Sequence, residues 1–226
     1  MSMVHPIEPG DAIHPGRPPM VQRYRLGARV NHWITALAMV LLVLSGLALF
    51  HPSFFFLSAI FGGGQNMRAF HPWFGIVLFV SFLVLFIQFW RLNLWERSDL
   101  DWVAHMGDLV RGHEEKMPEV GKYNAGQKFI FWSMAFFILV LLGSGIVIWD
   151  RYFFALTTIE SKRLAVLTHS IAAIVTILLL ILHVYAAIWV RGSFDAMIKG
   201  KVTAGWAWRH HRKWFRQLAA RGGRAG

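Results

Sequence analysis

The sequence predicts an all-α membrane protein built as a bundle of four transmembrane helices. Three features predict it: 56% of the residues are hydrophobic, four apolar stretches approach or exceed 20 residues, and the basic residues crowd into alternate connections. A hydrocarbon core of roughly 30 Å takes about 20 helical residues to cross, and in lipid such stretches must be helical because each backbone polar group needs an internal partner.

The spans are expected at approximately 31–50, 72–92, 128–149 and 164–190. Between Lys128 and Trp149, and between Leu164 and Val190, no Asp, Glu, Lys or Arg occurs beyond the flanking Lys128. The run Pro52 to Phe61 is apolar but only ten residues long, so it is read as a short or interfacial helix broken by Gly62, Gly63 and Gly64.

Residues 1–28 carry His5, Pro6, Pro9, Pro15, Pro18 and Pro19 and lack an apolar signal-peptide core, which suggests a flexible cytoplasmic leader. Residues 29–205 would form the four-helix domain. The tail 206–226 mixes Trp206, Trp208, Trp214 and Phe215 with eight cations or histidines, as an interfacial or partly solvated basic segment does.

Lys and Arg number 4 in residues 1–30, 6 in residues 91–128 and 9 from Arg191 onward, leaving only Arg68, Arg151, Lys162 and Arg163 in the other two connections. By the positive-inside rule both termini and the long middle loop face the cytoplasm. Topology therefore accounts for the net charge of +11 without a nucleic-acid partner. With no cysteine, the chain offers no thiolate for an iron–sulfur cluster, a c-type haem or a zinc site.

Eleven histidines remain as the main metal-ligating resource. His5, His14, His105, His113, His210 and His211 fall in leader, loop or tail, and His51 sits at a span boundary beside Pro52. His32, His71, His169 and His183 lie inside spans, where an ionisable group is costly and is a functional candidate by default. His169 and His183 are 14 residues apart, about 21 Å of helical rise and close to one face.

Depth then pairs His71 with His169 at the outer level and His32 with His183 at the inner level. Inverting the whole bundle leaves both pairs intact. Two axial imidazoles on opposite faces of a porphyrin hold a b-type haem, whereas four-coordinate zinc would want more ligands at each level. The bundle is thus expected to enclose two b-type haems. Gly46 and Gly75 offer room beside them, although small residues in close helix packing would look the same, as at Gly143 and Gly145. Met39, Met67 and Met134 are read as gap-fillers.

The segments RVNHWITAL (29–37), AFHPWFG (69–75), KYNAGQK (122–128), LTHSIAA and LLILHVYAAIW, with the 39-residue interval from His32 to His71, resemble the cytochrome b (gamma) subunit of membrane-bound respiratory formate dehydrogenase. The resemblance covers essentially the whole chain after the leader. It implies a bacterial inner-membrane subunit that receives electrons from an iron–sulfur (beta) partner serving a molybdenum or tungsten catalytic (alpha) subunit. Electrons would run from the His71/His169 haem to the His32/His183 haem and on to menaquinone or ubiquinone at the cytoplasmic side.

Moving each electron inward opposes the membrane potential by about 2.3 kcal/mol per 100 mV. The resemblance also places a quinone against the loop Tyr123 to Gln127, with Asn124 and Gly126 in the main roles and His183 adjacent. On the residues alone, Asn124 and Gln127 offer amide donors and Gly126 a close backbone approach. The same Asn-Ala-Gly run also reads simply as a helix start.

Two other functions fit parts of this pattern: a diheme anchor of a hydrogenase or another molybdenum enzyme, and a haem-free transporter using histidines as proton relays.

Overall fold

The computed structural model describes residues 7–222. Its long helices are α1 (Leu26–Phe50), α2 (Gly64–Phe89), α5 (Ala125–Ile148) and α7 (Ile159–Trp189), each long and apolar enough to cross a membrane. Short strands β1 (Ile13–His14) and β2 (Met20–Gln22) precede them. Between α2 and α5 lie α3 (Arg97–Ala104) and α4 (Met106–Val110), and α6 (Asp150–Phe153) joins α5 to α7. The chain ends through α8 (Ser193–Lys199), β3 (Lys201–Thr203), α9 (Ala204–His210) and α10 (Arg212–Gly222).

Four spans were expected and four apolar helices are present, but the helices begin earlier than the apolar runs do. Helix α2 starts at Gly64, ahead of the expected 72, because Gln65, Asn66 and Arg68 continue the same backbone hydrogen bonding where polar side chains can still reach water or headgroups. Pro72 lies inside α2. Lacking an N–H, it frees the carbonyl four residues earlier, a break that membrane helices tolerate. The Pro52–Phe61 run forms a 3₁₀ helix, closed by Gly62 in the left-handed region at φ 77°, which a side chain would resist.

The chain divides into two compact units. One comprises Val30–Ile87 and Ser133–His183 and holds most of the four long helices. Within it, Asn31 Nδ2 donates to the Ser81 carbonyl at 2.8 Å, and the Thr35 hydroxyl to Ser81 Oγ at 3.0 Å, tying α1 to α2. Much of the remaining surface of these helices is large and apolar, as at Ile87, Phe136, Leu139, Leu178 and Ile181. A soluble protein would bury such a surface, whereas lipid covers it here.

The other unit comprises Met1–Arg29, Gln88–Trp132 and Val184–Gly226. Its sheet has the order β1-β2-β3, antiparallel throughout, with Val21 opposite Val202. Val21, Ala196, Val202, Ala207, Trp214 and Leu218 form its core. Asp11 accepts from the Trp214 indole at 2.9 Å and pairs with Lys122 at 2.7 Å, and Lys122 also pairs with Glu8.

Over its described part, residues 7–28, the expected flexible leader is therefore a packed segment, and His5 and Pro6 lie outside the described residues. Its prolines and polar groups are visible in the sequence, whereas the partners that hold Asp11 are more than 100 positions away. The tail likewise departs from a solvated segment as far as it is described, with Trp214 1% exposed and His211 2% exposed.

Candidate functional site

The four intramembrane histidines meet in pairs. His71 on α2 and His169 on α7 have ring centres 6.3 Å apart. His32 on α1 and His183 on α7 have ring centres 6.2 Å apart. These are the pairs that depth alone assigned. Among the described residues no group of three or more His, Cys, Asp or Glu gathers to hold a metal ion, so each pair offers two imidazoles with no further His, Cys, Asp or Glu beside them.

Hydrogen bonding orients one of the pairs. The Ser45 hydroxyl lies 2.7 Å from the Leu41 carbonyl and 2.7 Å from His71 Nδ1. A hydroxyl has one proton to give. Donated to the carbonyl, it leaves Oγ to accept from Nδ1–H, the tautomer in which the lone pair of His71 is on Nε2. Ser144 repeats the arrangement on α5, 2.6 Å from the Val140 carbonyl and 3.0 Å from His169 Nδ1.

The glycine after each serine lies flush against the same imidazole. A Cβ at Gly46 would meet His71 Cε1 at 3.5 Å, and one at Gly145 would meet His169 Cε1 at 3.4 Å. Gly75 and Gly143 face nothing within 4 Å. His32 differs: its Nδ1 is buried without a hydrogen-bond partner among the described residues.

The loop before α5 is built as a helix cap. Asn124 Oδ1 accepts from Gln127 N–H at 2.9 Å, and Gln127 Oε1 accepts from Asn124 N–H at 3.0 Å. Both side-chain oxygens thus serve the backbone, while the two NH₂ groups keep their donors. Over Gly126 lies the Trp102 indole, 3.3 Å from where a Cβ would stand. Burial pushes the Tyr123 hydroxyl well above its usual pKa, so it stays a neutral phenol. One turn into α5, Lys128 pairs with Asp99 at 2.7 Å, their side chains 1% and 2% exposed.

The remaining candidates fall where local structure uses them. His51 Nδ1 accepts from Ser53 N–H and caps the 3₁₀ helix. His105 Nδ1 bonds the Asp101 carbonyl at an exposed helix end. Met39, Met67 and Met134 are buried, Met67 in an apolar cluster with Ala48 and Phe61. His211, read from sequence as a tail residue, is buried against the Gly121 carbonyl at 2.8 Å. Burial first, and then the positive charge of Arg23, hold its pKa well below the ordinary histidine range.

Residues 23–200 match the family described as prokaryotic cytochrome b561. The chain belongs to the prokaryotic cytochrome b561 family. It is 40% identical over 198 residues to the formate dehydrogenase cytochrome b556(fdo) subunit of Escherichia coli (strain K12), a match covering 88% of this chain and 93% of the relative. Identity to that organism's nitrate-inducible formate dehydrogenase cytochrome b556(Fdn) subunit is 38% over 199 residues, 88% of this chain and 92% of the relative. The formate dehydrogenase cytochrome b556 subunit of Haemophilus influenzae (strain ATCC 51907 / DSM 11121 / KW20 / Rd) is 36% identical over 195 residues, 86% and 82% of the two chains.

As a prokaryotic cytochrome b561 the chain is a multi-pass membrane protein that takes haem b, and its histidines can be tested for fit. Metal–imidazole bonds of about 2 Å, with each nitrogen about 1.2 Å from its ring centre, would put two imidazoles sharing one metal at most about 6.4 Å apart between centres. Both pairs lie just within that limit, at 6.2 and 6.3 Å. The Nδ1–H bonds of His71 and His169 leave Nε2 to ligate, as haem-iron ligands commonly do. The residues fit the cofactor.

Sequence reasoning missed Ser45, Ser144, Trp102 and the Asp99–Lys128 pair. For the serines a signal existed: the dipeptide Ser-Gly occurs at 45–46 in α1 and again at 144–145 in α5.

Proposed function

We propose that this chain is the two-haem membrane-anchor subunit of a formate dehydrogenase, carrying electrons from an iron–sulfur subunit across a bacterial inner membrane to quinone. The observation that carries the reading is the pair of imidazole pairs at 6.2 and 6.3 Å, separated by 14 residues along α7. The names of the relatives, each a formate dehydrogenase cytochrome b556 subunit, support the donor, and the resemblance implies a complex with iron–sulfur (beta) and molybdenum or tungsten (alpha) subunits, in which formate itself would be oxidised on another chain.

His71 and His169 would hold one haem and His32 and His183 the other. Haem b held by these residues would supply reversible one-electron chemistry at two depths. The excess of Lys and Arg in both termini and the middle loop supports a cytoplasmic location for them, with the His32/His183 pair at the inner level.

The protein's task toward quinone is to bind and orient it at the cytoplasmic mouth. Asn124 and Gln127 can each give an NH₂ proton to a ring carbonyl while their oxygens hold the cap, and Trp102 offers an apolar face over Gly126. Reduction there, with protons taken from the cytoplasm, separates charge without a proton channel through the protein.

The test is copurification. Mild-detergent isolation of this chain from its native membrane should bring a formate-oxidising molybdenum or tungsten subunit and an iron–sulfur subunit, and formate should reduce the bound haem. A complex that reduces the haem with hydrogen and not with formate would overturn the donor.

A further inference from the structure

We infer that Ser45 and Ser144 are positioning residues that make the His71 and His169 imidazoles stronger donors, and so set the haem they hold at a lower reduction potential than its companion. This rests on the reading that each histidine pair holds a haem. The two serines lie on different helices, yet each does the same three things. Each passes its proton to the carbonyl four residues back, accepts from a histidine Nδ1 on a neighbouring helix, and is followed by a glycine that lets the ring approach.

A hydroxyl already donating to a carbonyl is a polarised, stronger acceptor. Hydrogen bonding from Nδ1–H to such an acceptor raises the basicity of the opposite nitrogen. A more basic nitrogen stabilises the ferric over the ferrous state, which is a lower potential. Both ligands of the first pair carry this bond.

The other pair is built differently. His32 Nδ1 is buried with no acceptor among the described residues, so that ring stays a weaker donor. The polar groups one residue before it and three after, Asn31 and Thr35, are turned to Ser81 instead. The potential step therefore falls from the His71/His169 level to the His32/His183 level, downhill in the direction in which an electron must move against the membrane field.

The test is an optical redox titration of the intact complex, following the α band, on wild type and on Ser45→Ala/Ser144→Ala. Haem count is measured on each sample. One of the two components should rise by about tenfold in its ferrous-to-ferric ratio at fixed potential, about 59 mV for one electron. The other should stay where it was. Ser45→Thr/Ser144→Thr, which keeps both hydroxyls, should keep the wild-type curve.

If the alanine variant loses haem, Ser45→Cys/Ser144→Cys keeps the shape with a weaker acceptor and should give a smaller upward shift. Two unmoved components in a variant that retains both haems, or a shift in the component that His32→Ala removes, would overturn the inference. Absence of haem from the wild-type chain would instead overturn the reading on which it rests.

Discussion

Replacing Asp99 by Asn would remove the carboxylate bonded to the buried Lys128 ammonium at the head of α5. Lys128 and Asp99 meet at 2.7 Å with side chains 1% and 2% exposed, and Asp99 also accepts from the Glu96 N–H at 2.7 Å. Lys128 sits within the first turn of α5, where the positive end of the helix dipole opposes a cation. The asparagine keeps the size and an oxygen for Glu96 but leaves the ammonium uncompensated.

Removing one member of a buried pair costs about 3–5 kcal/mol, and at about 2–4 °C per kcal/mol for a chain of this size the melting temperature should fall by roughly 10 °C. Lys128→Met alone should cost a similar amount, by stranding the carboxylate. The double variant should recover most of the loss, because apolar replacement of a whole buried pair is often neutral or stabilising. The assay is thermal denaturation of the detergent-solubilised complex, followed by loss of the haem α band and by tryptophan fluorescence. Asp99→Asn melting within about 2 °C of wild type, or a double variant as unstable as both singles added together, would refute the argument.

Three further outcomes follow from the loop and the terminal segments. Asn124→Ser keeps an oxygen for the α5 cap but removes the amide donor, so a quinone-analogue inhibitor should bind at least tenfold more weakly at unchanged melting temperature. Asn124→Ala should lose inhibitor affinity and also about 1 kcal/mol of stability, and unchanged affinity in both would remove Asn124 from the site. His211 has a folded-state pKa well below its unfolded one, so the unfolded chain takes up its proton first and stability falls as the pH drops below about 6.5, by about 1.4 kcal/mol per unit. Denaturant titrations at pH 7.5 and 5.5 should show that His211→Gln loses less stability than wild type over this interval, and equal losses would contradict the assignment.

Trp214 is 1% exposed, donates to Asp11 and lies under both Arg23 and Lys122. Trp214→Ala should therefore cost about 3–5 kcal/mol and expose residues 7–28 to limited proteolysis.

The parts of this protein legible in the sequence are those that the bilayer dictates. Four apolar runs must be four helices, and a histidine's distance from the end of its run fixes its depth, so His71 finds His169 and His32 finds His183 without coordinates. What stayed hidden depends on side chains meeting across long sequence separations. Asp11 is bonded to a tryptophan 203 positions away, and β1 and β2 are two and three residues long, too short to leave an alternating pattern.

The loop at Asn124 was legible in a limited sense. Its cap is a local, three-residue relation that reads directly from Asn-x-x-Gln, whereas Trp102 over Gly126 comes from another helix. The Ser-Gly pairs fall between these cases. They are visible as a repeated dipeptide, but an intramembrane serine bonding its own backbone looks the same in sequence as one that also receives a histidine proton.

The central claim is that two histidine pairs each hold one haem b, and haem stoichiometry in a single-ligand variant tests it most directly. Purified wild-type complex should contain two haem b per copy of this chain. His183→Ala should contain one, with the component assigned to His32/His183 missing from the reduced-minus-oxidised spectrum and the His71/His169 component still reducible by formate. Two haems retained in His183→Ala, or loss of the His71/His169 component instead, would contradict the account.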